Sequence, residues 1–355
     1  MKNKSFCSIV SSSHLEPAVA LVHSLRTSGN PEKLHVLVTD IEDAAQVDNF
    51  TETLSIYPLQ VLKAELPPLL PFYFDKFELC NALKPFFLRH LLAQGMDSVI
   101  YLDTDIYVVG SFQPVWEELG KVPFLLTPHN LKPVPLELGY TTEIAVADQG
   151  IYNGGFLGCR AGDDTTRILD WMRERFPTYG FNRRSEGMFV DQKLLPLLPV
   201  YFPEHVLIYR EPSVNIAFWN LHERAVKREA DRFMIDGKQV IFFHMSGYRT
   251  QMPHKACSYL GESANRKILT KAPWFCGVMG DYHQLLQHGR GPESVEKYKY
   301  GAYRGIPLSP AMRTLLYQKQ GNLRWGSWEV LKIIILDRLK ILKRQVIKLI
   351  GAYRY

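Results

Sequence analysis

Residues 99–105 of the chain have the sequence Val-Ile-Tyr-Leu-Asp-Thr-Asp. The first four residues are apolar and predict a buried strand, and two carboxylates separated by one residue follow it. In open α/β sheets, ligands bind beyond the carboxyl ends of the strands. Asp103 and Asp105 would repel each other there unless a cation lay between them. A hard divalent cation suits this pair and also holds diphosphates, whereas a solvated surface turn is the alternative interpretation.

The chain opens with a β-α-β unit. Phe6–Val10 reads as a buried strand, the Ser13-x-x-Glu16 capping-box pattern predicts the start of a helix, and Leu34–Val38 is the next strand, which ends near Asp40. Short apolar runs alternate with helical patterns up to about residue 248. This alternation predicts an α/β sandwich with a mainly parallel sheet. Further predicted elements are helices over Leu83–Ala93 and Asp164–Phe176, a helix that begins within Phe189–Leu195, a loop over 67–75 and a strand over Val240–Phe243.

Three further motifs carry polar side chains at positions where a ligand could be bound. His244 directly follows an apolar strand, and Gly247 permits close backbone approach to a phosphate. Asn153-Gly154-Gly155 indicates a tight turn with a free amide. Asp191-Gln192 is expected to open an apolar helix and either to cap it or to face a sugar. Taken alone, each of these motifs is also compatible with an ordinary structural role.

The composition limits the class of protein and of partner. The chain has 355 residues, of which 46% are hydrophobic and 22% are charged, so disordered and collagen-like classes are excluded. The net charge is +6, but residues 326–355 carry +5 of it and residues 1–325 only +1. A nucleic-acid-binding face over the whole body is therefore not expected.

The five cysteines are Cys7, Cys80, Cys159, Cys257 and Cys276. Their number is odd and no C-x-x-C pair occurs, so we expect buried free thiols in a reducing compartment rather than disulfides or a zinc site. The N-terminus has no long apolar run typical of a signal peptide, and no uncharged stretch is long enough for a conventional transmembrane helix. These features predict a cytoplasmic location.

In their order and spacing, these motifs resemble those of retaining glycosyltransferases of the GT-A fold. The chain is most similar to glycosyltransferase family eight, which includes glycogenin and bacterial lipopolysaccharide galactosyl- and glucosyltransferases. The resemblance covers roughly residues 5–250. It rests on the β-α-β start, the Asp103-Thr104-Asp105 strand end, the Asn-Gly-Gly turn, the Asp-Gln pair and the His-x-x-Gly motif.

The resemblance implies a role for each matching position. Asp103, Asp105 and His244 would bind Mn²⁺ or Mg²⁺, which would bridge the phosphates of a UDP-sugar. Gln192, Asp191 and Asn153 would be the catalytic residues: Asp191 would bond the hydroxyls of the donor sugar, and Gln192 would lie near its anomeric carbon. The implied donor-binding residues are Ile9, Val10, Ser11, Asp40, Lys84, Thr104, Asn153, Gly154, Gly155, Gly247 and Arg249.

Two of these positions depart from the family pattern. The family has a basic residue on the helix before the Asp-x-Asp strand; Lys84 is the counterpart here, at a different spacing. The family also often continues His-x-x-Gly with two variable residues and then Lys-Pro-Trp. Thr250 stands at that lysine's place, so its neighbour Arg249 is the candidate cation for the phosphate.

Three segments are predicted: a GT-A catalytic domain over 1–250, an irregular C-terminal extension over 251–325 and a basic amphipathic helix over 326–355. Leu331, Ile335 and Leu339 begin an apolar stripe on this helix, and Trp325 and Trp328 stand at its head. It could pack on the parent domain, form a self-associating seam or lie in the plane of a membrane. The membrane interpretation is favoured because the helix combines an apolar face with Lys, Arg and flanking Trp side chains.

The sequence thus predicts a metal-dependent hexosyltransferase that acts on a glycan acceptor, lipid-linked or part of a cell-surface polysaccharide, at the inner face of the membrane. A sugar nucleotidyltransferase shares the α/β architecture and acidic metal sites. It would usually have a Gly-rich, basic loop after the first strand, where this chain has Ser11-Ser12-Ser13-His14. A non-catalytic protein that binds a glycan or a nucleotide-sugar is the third alternative.

Overall fold

The structure is a computed structural model that describes residues 3–41, 43, 53–288, 298–303, 305–319, 328–336 and 339. Its strands are β1 Lys4–Val10, β2 Lys33–Val38, β3 Leu54–Pro58, β4 Ser98–Leu102, β5 Ile106–Val108, β6 Phe124–Pro128, β7 Tyr152–Arg160, β8 Asn182–Arg183, β9 Met188–Phe189, β10 Val206–Ile208, β11 Lys227–Glu229, β12 Arg232–Ile235, β13 Lys238–Gln239, β14 Phe242–His244, β15 Ala302–Tyr303 and β16 Ile306–Pro307. Its helices are α1 Leu15–Thr27, α2 Leu70–Tyr73, α3 Lys76–Ala82, α4 Lys84–Ala93, α5 Gln113–Leu119, α6 Glu143–Gln149, α7 Asp163–Tyr179, α8 Leu198–Tyr201, α9 Glu262–Lys271, α10 Phe275–His288 and α11 Pro310–Lys319. Residues 328–336 are also helical.

The central sheet has seven strands among the described residues, in the order β10-β6-β7-β4-β1-β2-β3. β3, β2, β1 and β4 are parallel, and β7 runs antiparallel to both β4 and β6. β10 is parallel to β6. The strands other than β7 therefore point the same way, which confirms the predicted mainly parallel α/β architecture. The carboxyl ends of β1, β2, β4, β6 and β10 all emerge at one edge of the sheet.

Helices cover both faces of this sheet. α1 and α5 pack on one face, where Leu21, Leu25 and Trp116 are buried with the strand residues Phe6 and Val10. α4 and α7 pack on the other face, where Phe87, Leu91 and Met172 are buried with Ile9. Ile9 and Val10 point to opposite faces because successive side chains alternate along a strand. The result is the α/β/α layering that was expected of a GT-A fold.

A two-stranded sheet lies beside the carboxyl end of β4. β5 pairs with β14 in antiparallel register, so that Ile106 lies opposite His244. The β5–β14 pairing therefore carries His244, which is more than 130 positions away in the chain, to the Asp103-Thr104-Asp105 turn.

Three local predictions were wrong. The Ser13 side chain does not cap α1: residues Ser12–His14 form a 3₁₀ turn, and Ser13 Oγ lies 3.0 Å from His14 Nδ1. Asp191-Gln192 does not open a helix: residues 190–194 form turns, which begin at Val190 with a φ of 40°. The stretch over 67–75 contains the short helix α2, in which Pro71 takes a first-turn position.

The segment after residue 250 is more regular than the predicted irregular extension, since it contains α9, α10 and α11. Gly and Pro residues obscured its helical periodicity in the sequence. Ile268, Phe275, Met279 and Tyr282 of α9 and α10 are buried with Phe243 in a third hydrophobic cluster. The extension therefore packs against the strand that carries His244.

The described part of the C-terminal helix packs on the body of the protein. Val330 and Ile334 are fully buried in the same cluster as α4 and α7. Ile335, Leu336 and Leu339 are exposed on its outer side. The remaining residues of the predicted stripe lie outside the described residues. None of the described helices has the length and hydropathy that crossing a membrane requires.

Candidate active site

Asp103 and Asp105 lie at the end of a strand that is buried along its whole length. Every residue of β4 is buried, and the backbone N–H of Asp103 donates to the carbonyl of Gly155 at 2.9 Å. The carbonyl of Asp105 accepts from the N–H of Met245 at 2.8 Å. The backbone of the Asp103-Thr104-Asp105 turn is thus fixed on one side by β7 and on the other by the residue after His244, while its side chains stay partly exposed.

The three sequence-predicted metal ligands form one cluster. His244 Nε2 lies 3.1 Å from Asp105 Oδ1, and one ligand atom from each of Asp103, Asp105 and His244 lies within 4.8 Å of the others. The side chain of His244 is only 6% exposed, whereas that of Asp105 is 38% exposed. Burial opposes the charged form of His244, but the adjacent carboxylates of Asp105 and Asp103 outweigh it and raise the pKa of His244 above its ordinary value.

Two asparagines hold the His244 ring. Asn153 Nδ2 and Asn215 Oδ1 each lie 3.3 Å from His244 Nδ1. Asn215 Oδ1 can accept a hydrogen bond from a protonated Nδ1, so a cation bound between the carboxylates would have Nε2 available as a ligand, which is the usual arrangement around a metal-binding histidine. Asn215 was not predicted from the sequence, and its φ of 55° is a feature that only the structure reveals.

This cluster fits a divalent cation such as Mn²⁺. Two carboxylates and one imidazole supply the oxygen and nitrogen ligands that Mn²⁺ accepts. Gly155 has no side chain and so leaves space for the His244 and Asp103 side chains. A Cβ atom at this position would lie 2.6 Å from His244 Cε1 and 2.7 Å from Asp103 Oδ2. A side chain at position 155 would therefore occupy the space between two of the ligands.

Lys84 and Asp191 form a buried ion pair beside this cluster. Lys84 Nζ lies 2.8 Å from Asp191 Oδ2, donates to the carbonyl of Gly154 at 2.8 Å and lies 4.0 Å from Asp103 Oδ1. Burial lowers the pKa of Lys84, but the attraction of Asp191 and Asp103 outweighs it, so the net shift is upward and the side chain stays charged. The structure thus brings Lys84 to the two acidic motifs despite its unusual sequence spacing.

Asp191 keeps one oxygen free of protein contacts. Its side chain is fully buried, and Oδ1 has no hydrogen-bond partner among the described residues. Val190 has a left-handed backbone conformation, which is unusual for a β-branched residue, and it turns the chain so that Asp191 points inward. A buried carboxylate oxygen without a partner is a strong acceptor for a ligand hydroxyl.

Gln192 lies against the Gly154 backbone. Its Oε1 accepts from the Gly154 N–H at 3.0 Å, and its Nε2 donates to the carbonyl of Gln149 at 3.2 Å. The amide of Gln192 is therefore held in place on both sides. Gly154 itself is closely surrounded, since a Cβ there would lie 2.5 Å from Asp191 Oδ2.

The residues predicted to line a nucleoside pocket lie at the ends of β1 and β2. Both oxygens of Asp40 are hydrogen-bonded to Ser12, at 2.6 Å to its N–H and 2.9 Å to its hydroxyl. The side chains of Ile9 and Val10 are in the core, so that only their backbone borders this edge. Ser11 is buried and Thr104 is partly exposed.

Gly247 and Arg249 follow His244 on the same loop. Gly247 has a φ of 74°, and a Cβ there would lie 2.8 Å from the ring of Tyr259. Arg249 is exposed. Its charge lowers the pKa of His14, after burial and the effect of Lys76, so Arg249 lies near the end of β1.

Besides Asn215, sequence reasoning missed two polar residues at this site, Tyr101 and Lys76. Tyr101 donates to Asp103 Oδ1 at 2.7 Å, and its place two residues earlier on the same strand was the available signal. Lys76 Nζ lies 3.2 Å from Ser13 Oγ and 3.4 Å from His14 Nδ1, a contact between distant segments that no local pattern indicates. Burial and the Asp103 carboxylate raise the pKa of Tyr101 well above its ordinary value, so it remains a donor.

Comparison with known proteins places the chain among relatives that have no assigned function. It is 30% identical over 249 residues to the uncharacterized protein YfnF of Bacillus subtilis strain 168, across 69% of this chain and 81% of YfnF. The chain belongs to the YfnF family. A second relative from the same strain, the uncharacterized protein YfnD, is 25% identical over 265 residues, across 72% of this chain and 81% of YfnD. No family model matches the sequence of this YfnF-family member.

The chain is also similar to solved structures of glycosyltransferases, the class that its motifs resemble. Mouse xyloside xylosyltransferase 1 is 13% identical, with a TM-score of 0.41 over 68% of this chain and 97% of that one. The galactosyltransferase LgtC is 17% identical, with a TM-score of 0.40 over 76% and 95%. The glycosyltransferase GlyE of Streptococcus pneumoniae TIGR4 is 14% identical, with a TM-score of 0.42 over 80% and 63%.

Proposed function

We propose that the chain is a metal-dependent glycosyltransferase that moves a hexose from a UDP-sugar to a glycan acceptor with retention of the anomeric configuration. One observation carries the proposal: the Asp103–Asp105–His244 cluster lies directly beside the buried Lys84–Asp191 pair, 4.0 Å from Lys84 Nζ to Asp103 Oδ1. A cation site next to a carboxylate with a free oxygen suits a ligand that joins a diphosphate to a sugar.

The residues divide the work between the two parts of such a donor. Bound at Asp103, Asp105 and His244, Mn²⁺ would supply positive charge against the diphosphate leaving group. Lys84 adds a fixed cation nearby and holds Asp191, whose free Oδ1 accepts a hydroxyl of the donor sugar. Ser11, Asp40 and Thr104 border the nucleoside, and the backbone of Gly247 and the side chain of Arg249 lie toward the phosphates.

Attack from the leaving-group face is the favoured route to retention. Gln192 is a poor nucleophile because its amide oxygen is weakly basic and already accepts a hydrogen bond from Gly154. The bond between the anomeric carbon and the phosphate oxygen breaks as the acceptor oxygen bonds to that carbon from the same side. A phosphate oxygen of the leaving group takes the acceptor's proton, so the protein does not need to supply a base there.

The exposed side of the C-terminal helix is suited to binding the inner face of a membrane. Such binding would bring the enzyme to a lipid-linked or cell-surface glycan. Val330 and Ile334 anchor the helix to the core, which leaves Trp328, Leu336 and Leu339 exposed at 77%, 49% and 56%. Residues 340–355 carry five basic and no acidic side chains. Apolar groups beside a basic run are the composition of a helix that lies on an anionic bilayer.

A screen of nucleotide-sugars tests the function. The full chain is incubated with each of a panel of UDP-, GDP- and CDP-sugars, with Mn²⁺ or with EDTA, and release of the nucleoside diphosphate is measured. We expect slow, Mn²⁺-dependent hydrolysis of UDP-hexoses without acceptor. Release of pyrophosphate from a nucleoside triphosphate and a sugar phosphate would instead support a nucleotidyltransferase. Neither hydrolysis nor binding of any nucleotide-sugar would support the non-catalytic alternative.

A further inference from the structure

A second group of polar side chains adjoins His244. His129 and Asn130 follow β6, and Trp219 and His222 lie in the segment after β10. The two segments meet because β6 and β10 are parallel neighbours, and Asn220 Nδ2 donates to the carbonyl of His129 at 2.8 Å. The ring centroids of Trp219 and His244 are 5.3 Å apart, and those of Trp219 and His129 are 5.2 Å apart.

Buried polar atoms of this group lack hydrogen-bond partners. They are His129 Nδ1, Asn130 Oδ1 and Trp219 Nε1, none of which has a partner among the described residues. His129 and Trp219 are each only 8% exposed. Buried polar atoms in folded proteins nearly always have a protein, water or ligand partner. Such a concentration beside a metal ligand indicates a site that is completed by a bound molecule.

The group is uncharged. Burial lowers the pKa of His129 to about 4 and also lowers that of His222, so both imidazoles are neutral near pH 7. Glu223, the next residue after His222, is paired with Arg224 at 3.4 Å, so these two charges offset each other. Neutral imidazoles, an amide oxygen and an indole N–H offer donors and acceptors without attracting an anion, and the indole ring adds an apolar face.

We propose that His129, Asn130, Trp219 and His222 form a subsite for an uncharged sugar ring of the acceptor, which lies beside His244. The inference rests on the proposed function and adds the class of acceptor that the site takes. Hydroxyls of such a ring satisfy the unpartnered atoms, and its C–H face packs on the indole. A phosphate or carboxylate group finds no unpaired cation among these four side chains.

The connection between β6 and β7 borders this subsite. It begins against the segment after β10, where Glu223 Oε2 accepts from the N–H groups of Leu131 and Lys132 at 3.0 and 2.5 Å. Farther along, α6 contributes no buried residue and is held by polar contacts such as Lys193 Nζ to the carbonyl of Ala147 at 2.7 Å. Displacing α6 therefore exposes none of the apolar core.

Saturation-transfer NMR on the full chain with Mn²⁺ and UDP tests the subsite without requiring turnover. The probes are methyl glycosides of glucose, galactose, mannose and N-acetylglucosamine, with glucuronic acid and glucose 6-phosphate as charged comparators. We expect at least one neutral glycoside to bind, and Trp219→Phe, which removes the indole N–H, to weaken that binding about 3- to 10-fold. Trp171→Phe, which alters a tryptophan on α7, is the matched control and should bind as the wild type does.

Asn130→Ala provides a second variant on a less buried side chain, in case Trp219→Phe impairs folding. The subsite is refuted if no neutral glycoside gives a signal at tens of millimolar, if only the charged sugars bind, or if the folded variants bind the glycoside as the wild type does. Nucleotide-sugar hydrolysis, measured on the same preparations, reports separately on the proposed function. Hydrolysis of a nucleotide-sugar without binding of any glycoside would contradict the subsite and leave the proposed function standing.

Discussion

Lys84 Nζ lies 2.8 Å from Asp191 Oδ2, and the side chains of both residues are almost completely buried. The contact joins α4 to the turn after β9 across 107 positions of the chain. It places a fixed cation between the Asp-x-Asp strand end and the Asp-Gln motif. Two motifs that looked independent in the sequence are therefore parts of one site.

Removing the cation should destabilise the protein strongly. Lys84→Met leaves the Asp191 carboxylate buried without its partner, and we expect the free energy of unfolding to fall by about 3–5 kcal/mol. Lys121→Met is the control, because its pair with Glu118 is exposed and should contribute no more than about 1 kcal/mol. Urea unfolding of both variants measures the difference. Equal effects of the two substitutions would contradict a structural role for the buried pair.

Adding one methyl group at position 155 should impair metal binding. The new Cβ of Gly155→Ala would press on His244 Cε1 and Asp103 Oδ2, so we expect Mn²⁺ affinity to fall at least tenfold (about 1.4 kcal/mol) in an EPR titration of free Mn²⁺. Gly280→Ala on α10 meets nothing within 4 Å and should bind Mn²⁺ normally. Unchanged affinity in a folded Gly155→Ala protein would argue against this cluster as the metal site.

Acid should weaken the fold partly through His35, which is buried on β2. Burial, with a contribution from Lys33, lowers the pKa of His35 to about 4. The unfolded chain, with an ordinary pKa of about 6.5, then binds more protons than the folded chain between these values, so stability is present above pH 6.5 and is lost as the pH falls toward 4.

Substitution of His35 measures this contribution. Between pH 7 and pH 5 the wild type should lose about 2 kcal/mol more stability than His35→Gln, which cannot be protonated. The glutamine can still bond the hydroxyl of Tyr57, which lies 3.0 Å from His35 Nδ1. Urea unfolding at the two pH values gives the comparison. If the free energy of unfolding fell equally in the two proteins, His35 would not be the cause of the acid sensitivity.

The exposed face of the C-terminal helix should bind anionic membranes. A triple substitution of Ile335, Leu336 and Leu339 to Ser leaves the buried Val330 and Ile334 in place, so folding should be retained. We expect it to abolish flotation with phosphatidylglycerol vesicles. The control replaces Leu136, Ile144 and Val200, which are exposed elsewhere, and should float like the wild type. Equal flotation of both triple variants would contradict membrane contact through this face.

Local patterns were sufficient to predict the parts of the fold that depend on one segment. The apolar run before Asp103 and the alternation of strands and helices indicated a parallel sheet whose strand ends carry the site. The antiparallel β7 and the short β10 were not predictable, because strand direction and pairing depend on distant segments. Val190 shows why the helix predicted there failed: a single left-handed residue redirected an apolar run whose composition suited a helix.

Sequence reasoning found the three residues of the candidate cluster, which follow strand ends, and missed residues that meet only through packing. Asp103, Asp105 and His244 were identified from their strand ends. Asn215 and Trp219 have no distinguishing neighbours in the sequence, and reach His244 only because the segment after β10 pairs with β14 near Phe243. Lys84 was predicted in part. Its positive charge suggested a donor-binding role in the sequence, but its contact with Asp191 is visible only in the structure.

Metal-dependent turnover of a nucleotide-sugar is the direct test of the proposed chemistry. Release of UDP from a panel of UDP-hexoses is measured for the wild type, for Asp105→Asn and for Asp164→Asn, which alters a partly exposed carboxylate on α7 and serves as control. We predict release with Mn²⁺, loss with EDTA, recovery when Mn²⁺ is restored, and at least a hundredfold lower rate in Asp105→Asn with Asp164→Asn unchanged. Equal rates in EDTA, or full activity in Asp105→Asn, would contradict a metal-dependent glycosyltransferase at this site.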